Sequence, residues 1–137
     1  MWDTTTLDVL QPAMDYYLQN GTPDEKLRTY YYQGRIYQNM NEQDRALRSF
    51  MRGLDIADAC KDSLTIARML VAQAAVYMGF YDFNASSECY LRAAAIWRSK
   101  HNKPYEFDCL TCALDGKNVL SDKERADSLI KVLNGFR

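Results

Sequence analysis

The sequence predicts an all-α fold, a stack of antiparallel helix pairs with about seven helices in all. Three observations predict it. The chain repeats itself at a period of 40 residues, its apolar residues recur at steps of three and four, and several breaks between segments carry helix-start chemistry.

The period appears as parallel series. Leu10, Phe50, Tyr90 and Ile130 coincide under the shift, as do Tyr16, Ile56, Ile96 and Phe136. The small residues Ala13, Gly53 and Ala93 align, with Leu133 breaking the run, and Ala46, Ser86 and Ala126 fall in register. Gly34 pairs with Ala74, each three residues before a tyrosine, Tyr37 or Tyr77.

The elements follow in order. A first helix over 4–20 reads as the unpaired second half of a preceding unit, 1–22. The next, 23–39, starts on a capping box: Thr22 can cap, Pro23 suits the first helical position, and Glu25 can return the bond. Its partner over 43–60 carries Leu47, Phe50, Met51, Leu54 and Ala57 on one face. These two helices make repeat 1, 23–62. Helices over 63–79 and 83–101 make repeat 2, 63–102, and helices over 104–119 and 122–134 make a degenerate repeat 3, 103–137. Ser121 and Glu124 form a second capping box before the last helix. Breaks such as "NGTPDE", "NMNEQ" and "KHNKP" are short, so one domain is expected over 1–137.

Gly34 has a packing reason in this scheme. Glycine costs a helix interior about 1 kcal/mol relative to alanine, so it belongs where two helices must approach closely. Bulky Tyr37 and Phe50 then fill the space on either side.

These residues resemble the tetratricopeptide repeat, whose pattern is W-x2-L-G-x2-Y, then A-x3-F, then P. Tyr30-x2-Gln33-Gly34-x2-Tyr37 with Ala46-x3-Phe50 matches it, as does Leu70-x2-Gln73-Ala74-x2-Tyr77 with Ser86-x3-Tyr90. The third unit keeps Leu110, Ala113, Ala126 and Ile130, while Leu114 and Lys117 replace the small and aromatic residues. Asp58 and Arg98 stand where the closing proline belongs. The stretch from Asp15 to Ala57 is also similar to the repeat region of large bacterial multi-repeat proteins of regulatory or sensor type. The resemblance implies a right-handed α-solenoid that binds a peptide or protein segment in its concave groove, as a non-catalytic interaction or scaffolding module. It also implies an alternative, the input domain of a bacterial signalling or transcription-regulating protein.

The resemblance carries a groove with it. Counted from Leu27, its groove-facing positions hold Arg28, Tyr31, Arg35 and Gln38 in the first unit and Arg68, Val71, Ala75 and Met78 in the second. The third offers Asp108, Thr111, Asp115 and Asn118. The two arginines of the first unit can grip carboxylates, and Tyr31 between them adds a flat apolar surface. Some relatives clamp a terminal carboxylate with Lys and Asn. Tyr31 and Arg35 occupy those places here, against that specificity.

Composition limits the other classes. With 17 Lys plus Arg against 18 Asp plus Glu, the net charge of −1 lacks the basic excess of a nucleic-acid binder. No apolar run reaches the ~20 residues of a membrane helix, and the start shows no secretion signal. The compartment stays open: periplasmic for a fragment of the resembled family, otherwise cytoplasmic. Cys60, Cys89, Cys109 and Cys112 are too sparse for a disulfide framework and read as reduced, half-buried thiols. Cys109 and Cys112 spell C-x-x-C, but mid-helix and without the preceding strand of a redox site. Cys89 and His101 supply no second pair for zinc. His101, the one histidine, is expected to cap a helix end. No catalytic residues, cofactor or metal are expected. Leu129, Ile130, Val132 and Leu133 are too apolar for one face of a terminal helix, so self-association through that face is expected.

Overall fold

The computed structural model describes residues 4–119, with side chains from 8 to 115. All regular structure among them is helical. The helices are α1 Thr4–Asn20, α2 Pro23–Asn39, α3 Gln43–Asp55, α4 Ser63–Gly79, α5 Phe83–Ser99 and α6 Lys103–Val119, with a short 3₁₀ segment Ala57–Ala59 after α3. Six helices stand where about seven were expected. The helix expected over 122–134 lies outside the described residues, and so does the apolar terminal face assigned to it.

Local chemistry sets the boundaries. Thr22 accepts from the Glu25 amide at 3.2 Å, and the Glu25 carboxylate accepts from the Thr22 amide at 2.9 Å, closing the expected capping box. Asp62 caps α4 by accepting from the Thr65 amide, Asp82 caps α5 through Ala85, and Asn102 caps α6 through Tyr105. Because Asn102 is the cap, α6 begins at Lys103.

The turns at 40–42, 80–82 and 100–102 share one geometry. Asn41, Tyr81 and His101 have φ of 60°, 60° and 58°, and each amide bonds to the carbonyl three residues back. The left-handed His101 therefore ends α5 at Ser99, two residues before the expected limit. The helix expected over 43–60 also closes early. The Ile56 amide bonds to the Gly53 carbonyl at 3.2 Å, tightening the last turn, and the Asp24 carboxylate then accepts from the amides of Lys61 and Asp62 at 2.9 and 3.1 Å. That pull takes the chain off the helical path.

The described residues form two compact units divided after Ala72, within α4. In the first, α2 packs on α3 with α1 alongside α2. Leu27, Ile36, Phe50, Met69 and Leu70 are almost wholly excluded from water, each burial contributing about 1.5–3 kcal/mol. Gly34 lies directly against the Phe50 ring. In the second, α5 packs on α6 around Ala93, Ala94, Leu110 and Ala113. Trp97 meets Tyr105 edge-on at 4.8 Å, and buried Glu106 is ion-paired with Arg98.

One hydrogen bond recurs in both units. Ser49 Oγ donates to Gln33 Oε1 at 3.0 Å, and Cys89 Sγ donates to Gln73 Oε1 at 3.5 Å. The partners differ by 40 positions, so the sequence period is also a period of side-chain bonding.

Candidate binding surface

The α2 stripe expected to face a ligand is accessible in the first unit. Arg28 and Arg35 are exposed, while Tyr31 and Gln38 are half-buried. Tyr31 leans on the core, its ring centroid 6.3 Å from that of Phe50. The Gln38 amide bridges outward and inward: its oxygen accepts from Arg35 Nη1 at 3.1 Å, and its nitrogen donates to the Ala72 carbonyl of α4 at 3.2 Å. On α4, Arg68 is exposed and Val71 half-buried.

Arg28 has a different role from the one its position suggests. Its Nε donates to Asp62 Oδ2 at 2.8 Å. Burial pushes the Asp62 carboxyl up, but hydrogen bonds from Arg28 and Thr65 outweigh it and hold the group below its ordinary value. Asp62 in turn hangs by its amide from Asp24. Arg28 thus ties the start of α4 to α2, and Arg35 is left as the α2 arginine without a carboxylate partner among the described residues. Sequence reading missed this joint because Asp24 and Asp62 lie in two separate break segments, 38 residues apart.

In the second unit, Ala75, Met78, Asp108 and Asp115 are exposed. Thr111 is half-buried and turns its hydroxyl to the Phe107 carbonyl of its own helix. The side chain of Asn118 lies outside the described ones.

Among the described residues, clefts flank α2 in the first unit. One, about 360 Å³, runs between α1 and α2 and is walled by Leu10, Met14, Tyr17, Tyr32 and Ile36. Another, about 170 Å³, is polar and lies between α2 and α3, lined by Gln33, Tyr37, Arg45, Arg48, Ser49 and Arg52. Its arginines went unremarked in the sequence, although their steps of three and four mark one helix face.

The thiols are held protonated at neutral pH. Burial pushes Cys89 and Cys109 up to about 11, and burial with nearby Asp115 raises Cys112. A redox pair needs the opposite shift. His101 serves the α5–α6 turn through its backbone. Among the described residues no three His, Cys, Asp or Glu side chains gather as a metal site, and no helix is long and apolar enough to cross a membrane. No family model, no curated protein and no solved structure matches the chain.

Proposed function

We propose that the chain is a tetratricopeptide-like interaction module that binds an acidic peptide or protein segment along α2 and the first part of α4. The observation that carries this reading is the braced surface itself. Arg28–Asp62 and Gln38–Ala72 fasten the two helices side by side, and between these ties stand Tyr31, Arg35, Arg68 and Val71, all at least partly accessible. A surface held in advance loses little entropy on binding. The recurrence at 40 residues of the Gln-centred bond and the left-handed turn supports the repeat architecture.

Each element has a task. Tyr31, seated on Phe50, offers a rigid aromatic face, and Arg35, oriented by Gln38, offers a guanidinium fork to a carboxylate. Arg68 extends the positive stripe and Val71 adds an apolar contact. Such a surface binds in the micromolar range, about −8 kcal/mol.

Peptides selected from a random library against the full chain test the reading. They are expected to be acidic, and to lose about tenfold or more in affinity when Tyr31, Arg35 and Arg68 are all replaced by Ala. Arg28 is left in place, so the helix tie is intact. Peptides that bind this variant as tightly as the parent overturn the assignment.

A further inference from the structure

We propose that the polar cleft between α2 and α3 is a binding site for a phosphate monoester, centred on Arg45, Arg48 and Arg52. It lies on another face of α2 from the peptide surface and goes beyond that reading.

The cleft concentrates positive charge without compensation. Its three arginines fall on one face of α3, where like charges three and four residues apart disfavour the helix. Among the described residues none of the three is ion-paired with a carboxylate. The chain as a whole carries a net charge of −1, so the cluster is no by-product of a basic composition.

What orients the cluster leaves it free to donate. Arg45 lies over the Tyr37 ring, its Cζ 5.9 Å from the centroid. Arg48 Nε makes a long contact of 3.5 Å with the Asp44 carbonyl of its own helix. Gln33 turns its oxygen to Ser49, so its NH₂ is the half of the amide left to face the cleft. Three guanidinium forks and an amide therefore offer donors.

The charge and size of the cleft favour one ligand chemistry. A single carboxylate brings one negative charge, whereas a phosphate monoester at neutral pH brings about −1.5 to −2 and three acceptor oxygens. Guanidinium groups match those oxygens in pairs. A volume of about 170 Å³ suits such a group with a small attachment rather than a helix or a folded surface.

The second repeat provides an internal comparison. Forty residues on, the cleft framework persists as Gln73, Tyr77 and Cys89, with the same bond from residue 89 to the glutamine. Two of the three arginines do not: Ala85 and Glu88 replace Arg45 and Arg48, and Arg92 alone continues. The Gln73–Cys89 bond forms without those two arginines. The glutamine bond thus persists without Arg45 and Arg48, whose own contacts are the Tyr37 ring and a long bond to the Asp44 carbonyl, and anion binding supplies a reason for gathering both beside Arg52.

Titration of the full chain with inorganic phosphate, glycerol 3-phosphate and a phosphoserine peptide tests the site, with acetate at matched ionic strength as the control. The arginine side-chain NMR signals are the readout. All three phosphate probes are expected to shift the Arg45, Arg48 and Arg52 signals, with inorganic phosphate binding at about 1 mM or better, and acetate to leave them in place. A phosphoserine peptide binding more than about tenfold tighter than glycerol 3-phosphate identifies a phosphorylated segment as the source, and equal affinities identify a small phosphorylated molecule. The double variant Arg45→Ala with Arg48→Glu copies residues the second repeat already uses. It is expected to fold and to bind phosphate about tenfold or more weakly. Arg48→Lys, which keeps the charge and loses the fork, provides a second variant and should weaken binding by a smaller factor. The proposal is overturned if phosphate moves none of these signals at about 10 mM, if acetate moves them equally, or if Arg48→Lys and the double variant bind phosphate as the parent does.

Discussion

Replacing Gly34 by alanine adds one methyl group at the tightest helix contact in the first unit. A Cβ built there stands 2.3 Å from Phe50 Cε1, 2.6 Å from Cδ1 and 2.7 Å from Cζ. Carbon atoms rest at about 3.5–4.0 Å, so the ring must retreat by roughly an ångström or the helices must part. Phe50 is fully buried, and overpacking such a core costs about 1–3 kcal/mol. Alanine returns about 1 kcal/mol of helix propensity. The net expectation is a loss of about 1 kcal/mol, seen as a fall of roughly 3–5 °C in Tm. Gly34→Leu carries further atoms into the same contact and should cost several kcal/mol. Gly53→Ala is the control. Its Cβ meets Met69 Cε and Sδ at 2.5 and 2.6 Å, the far end of a flexible thioether, and Tyr30 Cβ at 3.3 Å, so the change should cost less than Gly34→Ala, whose Cβ meets a rigid ring. In a Phe50→Leu background the Gly34→Ala penalty should shrink, with a coupling of about 1 kcal/mol by urea denaturation. Gly34→Ala melting at or above the parent temperature, or strict additivity with Phe50→Leu, would refute the contact as the reason for the glycine.

Three further outcomes follow from particular residues. The buried Ser86 hydroxyl has no hydrogen-bond partner among the described residues, and Ala46 stands at the equivalent place, so Ser86→Ala should stabilise by about 1 kcal/mol in urea denaturation, and any loss counts against it. Tyr81 is 80% exposed at a φ of 60°, a conformation costing a bulky residue about 1–2 kcal/mol, so Tyr81→Gly should raise Tm, whereas a lowered Tm would mean the ring has a contact worth more than the strain. Asp62 titrates below its ordinary 3.8 when folded, so its contribution is present above that value and fades as pH falls through the folded one; Asp62→Asn keeps a capping residue and should flatten the loss of stability below about pH 4, while parallel acid profiles would remove the charge from the account.

Much of the helical frame was legible because its signals are local. Thr22, Pro23 and Glu25 announce α2 within four residues, and the structure closes that box as expected. The limits of α3 and α5 were less legible for two reasons. The first depends on Asp24 reaching across from another helix, a contact between residues 37 and 38 positions apart that no periodicity reports. The second depends on His101 entering a left-handed turn, a conformation in which histidine is enriched but still uncommon, so the residue type alone does not announce it. The surface was legible as a stripe but not as a circuit. Steps of three and four placed Arg28 and Arg35 together, yet only the structure shows Arg28 joined to Asp62 and Arg35 to Gln38.

The two copies of the repeat separate what folding needs from what it leaves open. Where both keep the same chemistry, as at Gln33 and Gln73 or at the turns of Asn41 and Tyr81, the bond or backbone geometry is the same and stability explains it. Where they differ with no change in the helix pair, stability does not explain the choice. Phe50, which lies against Gly34, is replaced in the second copy by Tyr90, with Ala74 at the place of Gly34. Arg45 and Arg48 become Ala85 and Glu88 while the α2 residues that line the cleft stay, Gln33 and Tyr37 recurring as Gln73 and Tyr77. Side chains that one copy has and the other lacks, at a polar cleft whose glutamine and tyrosine are unchanged, are not required by the contact between the helices, and so Arg45 and Arg48 point to a ligand.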